Sequence, residues 1–284
     1  MNAPRNFRRI LAPLAVFASL LACAASLGQT EPAKPAVKPE DLPKAEEILE
    51  RFIQVTGGKA AYEKLKNRVT TGTIEVPAAN IKGTMKVYHQ APDLMFVEQE
   101  MAGMGKSMEG YDGKDAWESS AMMGARLKEG TERAMAKRAA VFNSELNWRK
   151  VYKTCETVAV EDVDGKPAYK LVMTPEEGNP EAHFYDKESG LLVKIELKAP
   201  SPMGEIPVEI RTSDYRDVDG IKVAHKLVQR AAMQEVLITI DKIESNVDLP
   251  ADRFQIPAEV REMLTDGQKP ASAPASTAPA KKQP

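Results

Sequence analysis

The apolar residues of this chain change their spacing shortly after residue 66, from a helical period to alternation. From Lys44 to Val55, Ala45, Ile48, Leu49 and Phe52 recur at helical intervals, which puts them on one face of a helix. Gly57-Gly58 predicts its end, because glycine takes the left-handed cap conformation without a side-chain clash. A second short helix is expected over Lys59–Lys66, with Ala61, Tyr62 and Leu65 inward. Beyond Asn67 the period is two. It predicts strands at Val69–Val76, Ile81–Gln90, Leu94–Met101, Ser107–Tyr111 and Asp115–Ser119. A helical interval follows over Thr131–Phe142. Further strands are expected at Val151–Val163, Ala168–Thr174, Ala182–Asp186, Leu191–Leu197, Ile206–Tyr215, Ile221–Arg230 and Glu235–Val247. Pro257–Leu264 predicts a closing helix with proline in its first turn.

The turns decide how these strands connect. Asp112-Gly113, Asp164-Gly165, Asp219-Gly220 and Ser189-Gly190 each separate two strands. Asp-Gly favours hairpins, because the preferred two-residue turn needs positive φ at both central positions. Hairpins in series give an antiparallel meander, and a parallel α/β sheet would need crossover helices that the pattern lacks. Alternation leaves one face dry. Ile81, Met85 and Val87 oppose Lys82, Thr84 and Lys86; Leu191, Val193, Ile195 and Leu197 oppose Lys194, Glu196 and Lys198. Ile206, Val208 and Ile210 oppose Glu205, Glu209 and Arg211; Val236, Ile238 and Ile240 oppose Thr239 and Asp241.

A sheet of about 11 or 12 strands must curl, close or be covered, and the helices are few and short. The dry face either closes on itself as a filled barrel or stays partly open as a cavity for an apolar ligand. Met85, Val87, Met95, Val97, Leu191, Val193, Ile195, Val208, Ile210, Ile238 and Ile240 are the candidate lining of such a cavity, although any one of them taken singly reads first as core. Met101, Met104, Met108, Met122 and Met123 cluster around glycine-rich turns. Methionine adapts to irregular apolar partners, so they read either as a rim over a lipid or as a packed loop.

The two ends of the chain differ from its middle. Arg5, Arg8 and Arg9 precede an apolar run from Ile10 to Ala22, the arrangement of a secretory signal peptide over residues 1–22 and too short for a permanent span. Leu20-Leu21-Ala22-Cys23 is similar to a bacterial lipobox, which would leave Cys23 lipidated as the first residue; the alternative is ordinary cleavage by about residue 28. Residues 23–42, with Pro32, Pro35 and Pro39, read as a disordered linker, and the Ala/Pro-rich stretch 266–284 as a disordered tail. The 43–265 region between them is compatible with one domain.

Composition excludes more than it assigns. The net charge is −2, and loss of residues 1–22, which hold three arginines and no acid, would make it more negative by three. That argues against a nucleic-acid partner. With Cys23 lipidated or removed, Cys155 has no disulfide partner and reads as a small apolar residue. His89, His183 and His225 fall in three different strands without metal-ligand spacing. There is no Gly-x-Ser-x-Gly elbow and no dinucleotide fingerprint. Gly105-Lys106-Ser107 has the ending of a phosphate loop, but Glu100 stands where its first glycine belongs. No catalytic residue, metal site or cofactor is assigned.

The order of elements carries a resemblance. Ala45-Glu46-Glu47-Ile48-Leu49-Glu50-Arg51-Phe52, then Thr56-Gly57-Gly58-Lys59-Ala60-Ala61, then Thr71-Gly72-Thr73-Ile74-Glu75-Val76 resemble the N-terminal part of bacterial LolA-like outer-membrane lipoprotein-sorting proteins. So do Phe184–Lys194 and Ser213–Lys222 farther on. The resemblance implies an α+β fold: a curved antiparallel sheet of about 11 strands, an open half-barrel with a few short helices as a lid. It also implies a protein of the periplasm or outer membrane of a diderm bacterium that binds or transfers lipids or lipoprotein acyl chains. Its soluble carriers have a fully cleaved leader, whereas an anchor at Cys23 would suit a receptor. Two other readings stand beside it: a non-catalytic interaction module with a filled barrel, and a secreted enzyme with an unrecognised site.

Overall fold

A computed structural model describes residues 41–121, 124–201 and 204–267. The leader, Cys23, almost all of the linker and tail, and Met122 and Met123 lie outside the described residues. One antiparallel sheet of thirteen strands dominates the structure. The strands are β1 (Asn67–Val76), β2 (Ile81–Gln90), β3 (Leu94–Met101), β4 (Gly105–Tyr111), β5 (Ala116–Ser120), β6 (Gly124–Leu127), β7 (Tyr152–Val163), β8 (Lys166–Pro175), β9 (Glu181–Asp186), β10 (Leu192–Ser201), β11 (Gly204–Val218), β12 (Ile221–Ala231) and β13 (Gln234–Ser245). All twelve expected strands are present. The thirteenth, β6, went unread because Gly124-Ala125-Arg126-Leu127 has neither alternation nor β-branched residues.

Spatial order runs β6-β5-β4-β3-β2-β1-β13-β12-β11-β10-β9-β8-β7. Two meanders therefore meet at the centre, where β1 pairs with β13. The turns behave as their residues dictate. Asp164 and Gly165, and Asp219 and Gly220, all take positive φ, the conformation of a two-residue hairpin turn. The Asp162 and Asp217 carboxylates close these turns by accepting from the Gly165 and Gly220 amides at 2.8 and 3.1 Å.

Among the described residues five α-helices complete the fold: α1 (Ala45–Val55), α2 (Lys59–Glu63), α3 (Gly130–Ala140), α4 (Trp148–Val151) and α5 (Ala258–Gly267). α4 was not expected, since four residues are too few to show a period. The sheet ends at β6 on one side and β7 on the other, so residues 128–151 must carry the chain from edge to edge. They do so across one face, and α3 and α4 are built into that crossing.

The face crossed is the inner one. α1, α2 and α4 bury Ile48, Leu49, Phe52, Tyr62 and Trp148 against Leu171, Met173, Tyr185 and Ile221 of its far half. The Phe52 and Tyr185 rings meet edge to face at 5.4 Å. α3 buries Ala136 and Ala140 against Met95, Val97 and Tyr111 at the other half. The outer face has its own cover. Phe254 and Val260, before and within α5, pack on Val69, Tyr88, Phe96 and Trp117, with the Arg253 guanidinium 4.5 Å above the Tyr88 ring.

α1 is attached to the sheet through its last turn. The buried Thr56 hydroxyl bonds the Phe52 carbonyl at 2.7 Å and the Tyr62 hydroxyl at 2.8 Å, while the Thr56 carbonyl accepts from the Lys222 amide at 2.8 Å. The chain then turns at Gly57, whose φ is +138°. A Cβ there would lie 2.3 Å from the Gly220 carbonyl oxygen, whereas at Gly58 (φ +78°) the nearest atom is the tip of Gln54 at 3.7 Å. Gly57→Ala is therefore expected to cost about 2–3 kcal/mol and Gly58→Ala about 1 kcal/mol in urea unfolding. Equal costs for the two would show that the approach of α1 to the β11–β12 turn does not constrain Gly57.

Candidate functional site

Strand register places the candidate residues unambiguously on the two faces, because directly opposed residues share a face. One row across the centre runs Ile240, Gly72, Met85, Gln99, Ser107 and Ser120, from β13 through β1 to β5. A second runs Val236, Gln229, Ile210, Ile195, His183 and Leu171, from β13 to β8. Ile238 stands opposite both Ile74 and Leu227, and Val208 opposite Leu197. All of these are on the inner face.

The eleven candidate lining residues divide into three groups. Met85, Ile195, Val208, Ile210, Ile238 and Ile240 occupy the middle of the inner face, between the helix-covered ends. Met85, Ile195, Ile210 and Ile238 are half-buried, and Val208 and Ile240 are buried without belonging to either helix-capped cluster. Val87, Met95 and Val97 lie on the same face but pack beneath α3, and Leu191 packs in the α1 cluster. Val193 is on the other side. β10 slips against β9 between Leu192 and Lys194, and this bulge sends Val193 into an outer cluster with Val163, Ala168 and Phe184. The uniform alternation expected from Leu191 to Leu197 is thus broken at one residue. Sequence reading missed Leu227 as an inner-face residue, although the alternation Val223, His225, Leu227 carries the signal.

The two halves of the inner face are tied together by buried polar groups. Arg138 of α3 donates to the Glu177 carbonyl at 2.8 Å and to the Glu181 carboxylate at 3.0 Å. Tyr152 donates to the other Glu181 oxygen at 2.9 Å, and His183 lies 3.3 Å from it. Burial alone would raise the Glu181 pKa; bonds from His183 and Tyr152 and the Arg138 charge outweigh it and hold the carboxyl below its usual range. His89 also faces inward, with Nε2 3.0 Å from the Ala139 carbonyl at the end of α3. Burial draws its pKa down to about 4, against the upward pull of that carbonyl and with the help of Arg68.

Each of these groups is paired within the fold. His225 Nδ1 is 2.8 Å from the Val223 carbonyl, and no cluster of three His, Cys, Asp or Glu side chains is in reach of a metal among the described residues. Burial, then the Glu46 charge, push the Cys155 thiol up to about 11, away from the thiolate a nucleophile needs. Gly105-Lys106-Ser107 opens a strand, not the helix that a phosphate loop precedes. Among the described residues no helix is long and apolar enough to cross a membrane.

Comparison with known proteins shows the fold to be LolA-like. A LolA superfamily protein from Nitrosomonas europaea superposes with a TM-score of 0.54 at 15% identity, covering 76% of this chain and 99% of the other. A DUF1329 family protein from Desulfovibrio piger gives 0.51 at 12% identity, covering 74% and 97%. A domain assigned to the outer membrane lipoprotein-sorting proteins, from Vibrio parahaemolyticus, gives 0.50 at 14%, covering 74% and 97%. No family model and no curated protein matches the sequence.

The depressed His89 pKa fixes a pH dependence. An unfolded imidazole takes up a proton near 6.5, whereas the folded one does so only near 4, so its contribution is complete above pH 6.5 and is lost as pH falls towards 4. His89→Gln keeps a donor for the Ala139 carbonyl but does not titrate. Urea melts are expected to show wild-type stability falling from about pH 6.5 to about pH 5, and a flatter profile for the variant. The same slope in both would remove His89 as the cause.

Proposed function

We propose that the protein binds lipid or lipoprotein acyl chains on the uncovered middle of its inner face, outside the cytoplasm. The observation that carries this is the strip of aliphatic side chains between two helix-covered ends, with Met85, Ile195, Ile210, Leu227 and Ile238 only half-buried. A monomer that needed these side chains only as core would bury them. The LolA-like fold and the similarity to a lipoprotein-sorting domain support the same reading. The physical need is large: at about 0.8 kcal/mol per CH₂, a chain of roughly 16 carbons exposes on the order of 13 kcal/mol of unfavourable contact in water. A surface as apolar as the membrane makes transfer nearly neutral, so direction has to come from differences in affinity.

Residues 1–22 act in this proposal as a secretory leader, and Cys23 as the acylated first residue of the exported protein. The linker 23–42 then tethers the folded domain to the outer membrane. An anchored protein of this kind receives or holds a client rather than shuttling it.

Two experiments test the proposal. Purified from its host, the protein is expected to carry lipid detectable by mass spectrometry, and Ile210→Asp is expected to remove it. Val228→Asp, a matched change on the outer face opposite Leu237, is expected to leave it in place. Clean wild-type protein that also ignores a fluorescent fatty acid would instead favour a filled interaction module. Cys23→Ala is expected to move the protein from the membrane to the soluble fraction, and unchanged partitioning would remove the anchor.

A further inference from the structure

The inner face changes character along its width. Through β10 to β2 its middle is aliphatic apart from Gln229, but from β3 to β6 it presents Gln99, Ser107, Glu109, Glu118, Ser120 and Arg126. These residues frame a hollow of about 250 Å³. The hollow adjoins the aliphatic strip directly, since Gln99 stands opposite Met85 on the neighbouring strand.

Its charges are already committed to one another. Arg126 donates from Nε to Glu118 at 2.8 Å and from its two terminal nitrogens to Glu132 at 2.6 and 2.8 Å. Lys128, largely buried, bonds Glu109 and lies 3.4 Å from Glu118. Three carboxylates thus face two cations, and each cation is already paired with two of them. The Gln99 amide and the Ser107 hydroxyl, by contrast, make no hydrogen bond among the described residues, although both border the hollow.

From this juxtaposition we infer that the hollow receives the polar head of an amphiphile whose hydrocarbon lies on the strip. The head it fits is uncharged and bears hydroxyl or amide groups. Gln99 supplies both donor and acceptor, and Ser107 a rotatable hydroxyl. An anionic head would meet a net negative surround whose two cations are already paired with carboxylates, and would compete with those carboxylates to replace its hydration. The inference rests on acyl binding at the strip and adds the orientation of the ligand and the chemistry of its head.

The test uses two probes with the same twelve-carbon chain, monolauroylglycerol and laurate at pH 8, each displacing a fluorescent fatty-acid analogue from the purified full chain. The uncharged probe is expected to bind about tenfold more tightly, the equivalent of about 1.4 kcal/mol. The double variant Gln99→Leu, Ser107→Ala is expected to lose most of that preference while binding laurate as before, and Ser107→Ala alone to lose part of it. Equal affinities for the two probes, or a double variant that keeps the wild-type preference, would overturn the head site and leave acyl binding intact. If the analogue does not bind the wild-type chain at all, the acyl reading itself falls, and the head site with it.

Discussion

The path of the chain between the two edges of its sheet shapes the rest of the molecule. β6 and β7 are consecutive in sequence yet stand at opposite ends of a thirteen-stranded array. Among the described residues no strand pairs with either outer edge, so the connection has to pass over a face rather than continue the meander. It takes the inner face, where α3 finds Met95, Val97 and Tyr111 and then reaches the other limb through Arg138. The position of the lid and the separation of the two apolar clusters follow from that one traverse.

What the helices cannot do is as informative as what they cover. The four on the inner face contain 11, 5, 11 and 4 residues, and they are drawn to the two ends. α1 and α2 are fixed near the β9–β10 and β11–β12 turns, where Arg51 bonds the Lys187 and Glu188 carbonyls at 2.9 and 2.6 Å and Thr56 bonds Lys222. α3 is fixed near the other limb. The middle strands, β10 to β13 with β1 and β2, keep an aliphatic surface with no helix of its own. A LolA-like fold does not by itself decide function, since one architecture hosts many; the distribution of cover over this particular sheet is what argues for a ligand.

Much of this was legible in the sequence, for identifiable reasons. Alternation such as Ile206, Val208, Ile210 against Glu205, Glu209, Arg211 can only be a strand with one wet face, and Asp-Gly pairs can hardly be anything but tight turns. Three features resisted. β6 borrows its strand conformation from β5 and has no pattern of its own. The bulge at Val193 shows in no residue type, because valine suits either face, and only pairing with β9 reveals that the parity changes. The cover over Val87, Met95 and Val97 comes from α3, whose inward residues are alanines that announce no strong apolar stripe. Sequence alone therefore assigns these residues a face but not a cover, since a period says which side a residue takes and not what will sit upon it.

β7, the sheet's outer border, is twelve residues long, with a full row of backbone donors and acceptors on its free side. Such a border normally invites fibrils, because any extended peptide can continue the ladder. Here it falls out of step with β8 twice, once near each end of its first half, and carries Lys153, Glu156, Glu161 and Asp162 along its length. An incoming strand would meet a kinked, charged template and could not hold register for more than a few residues. A molecule that leaves a greasy interior within reach of solvent has thus blunted the longer of the two seams along which copies of it could polymerise.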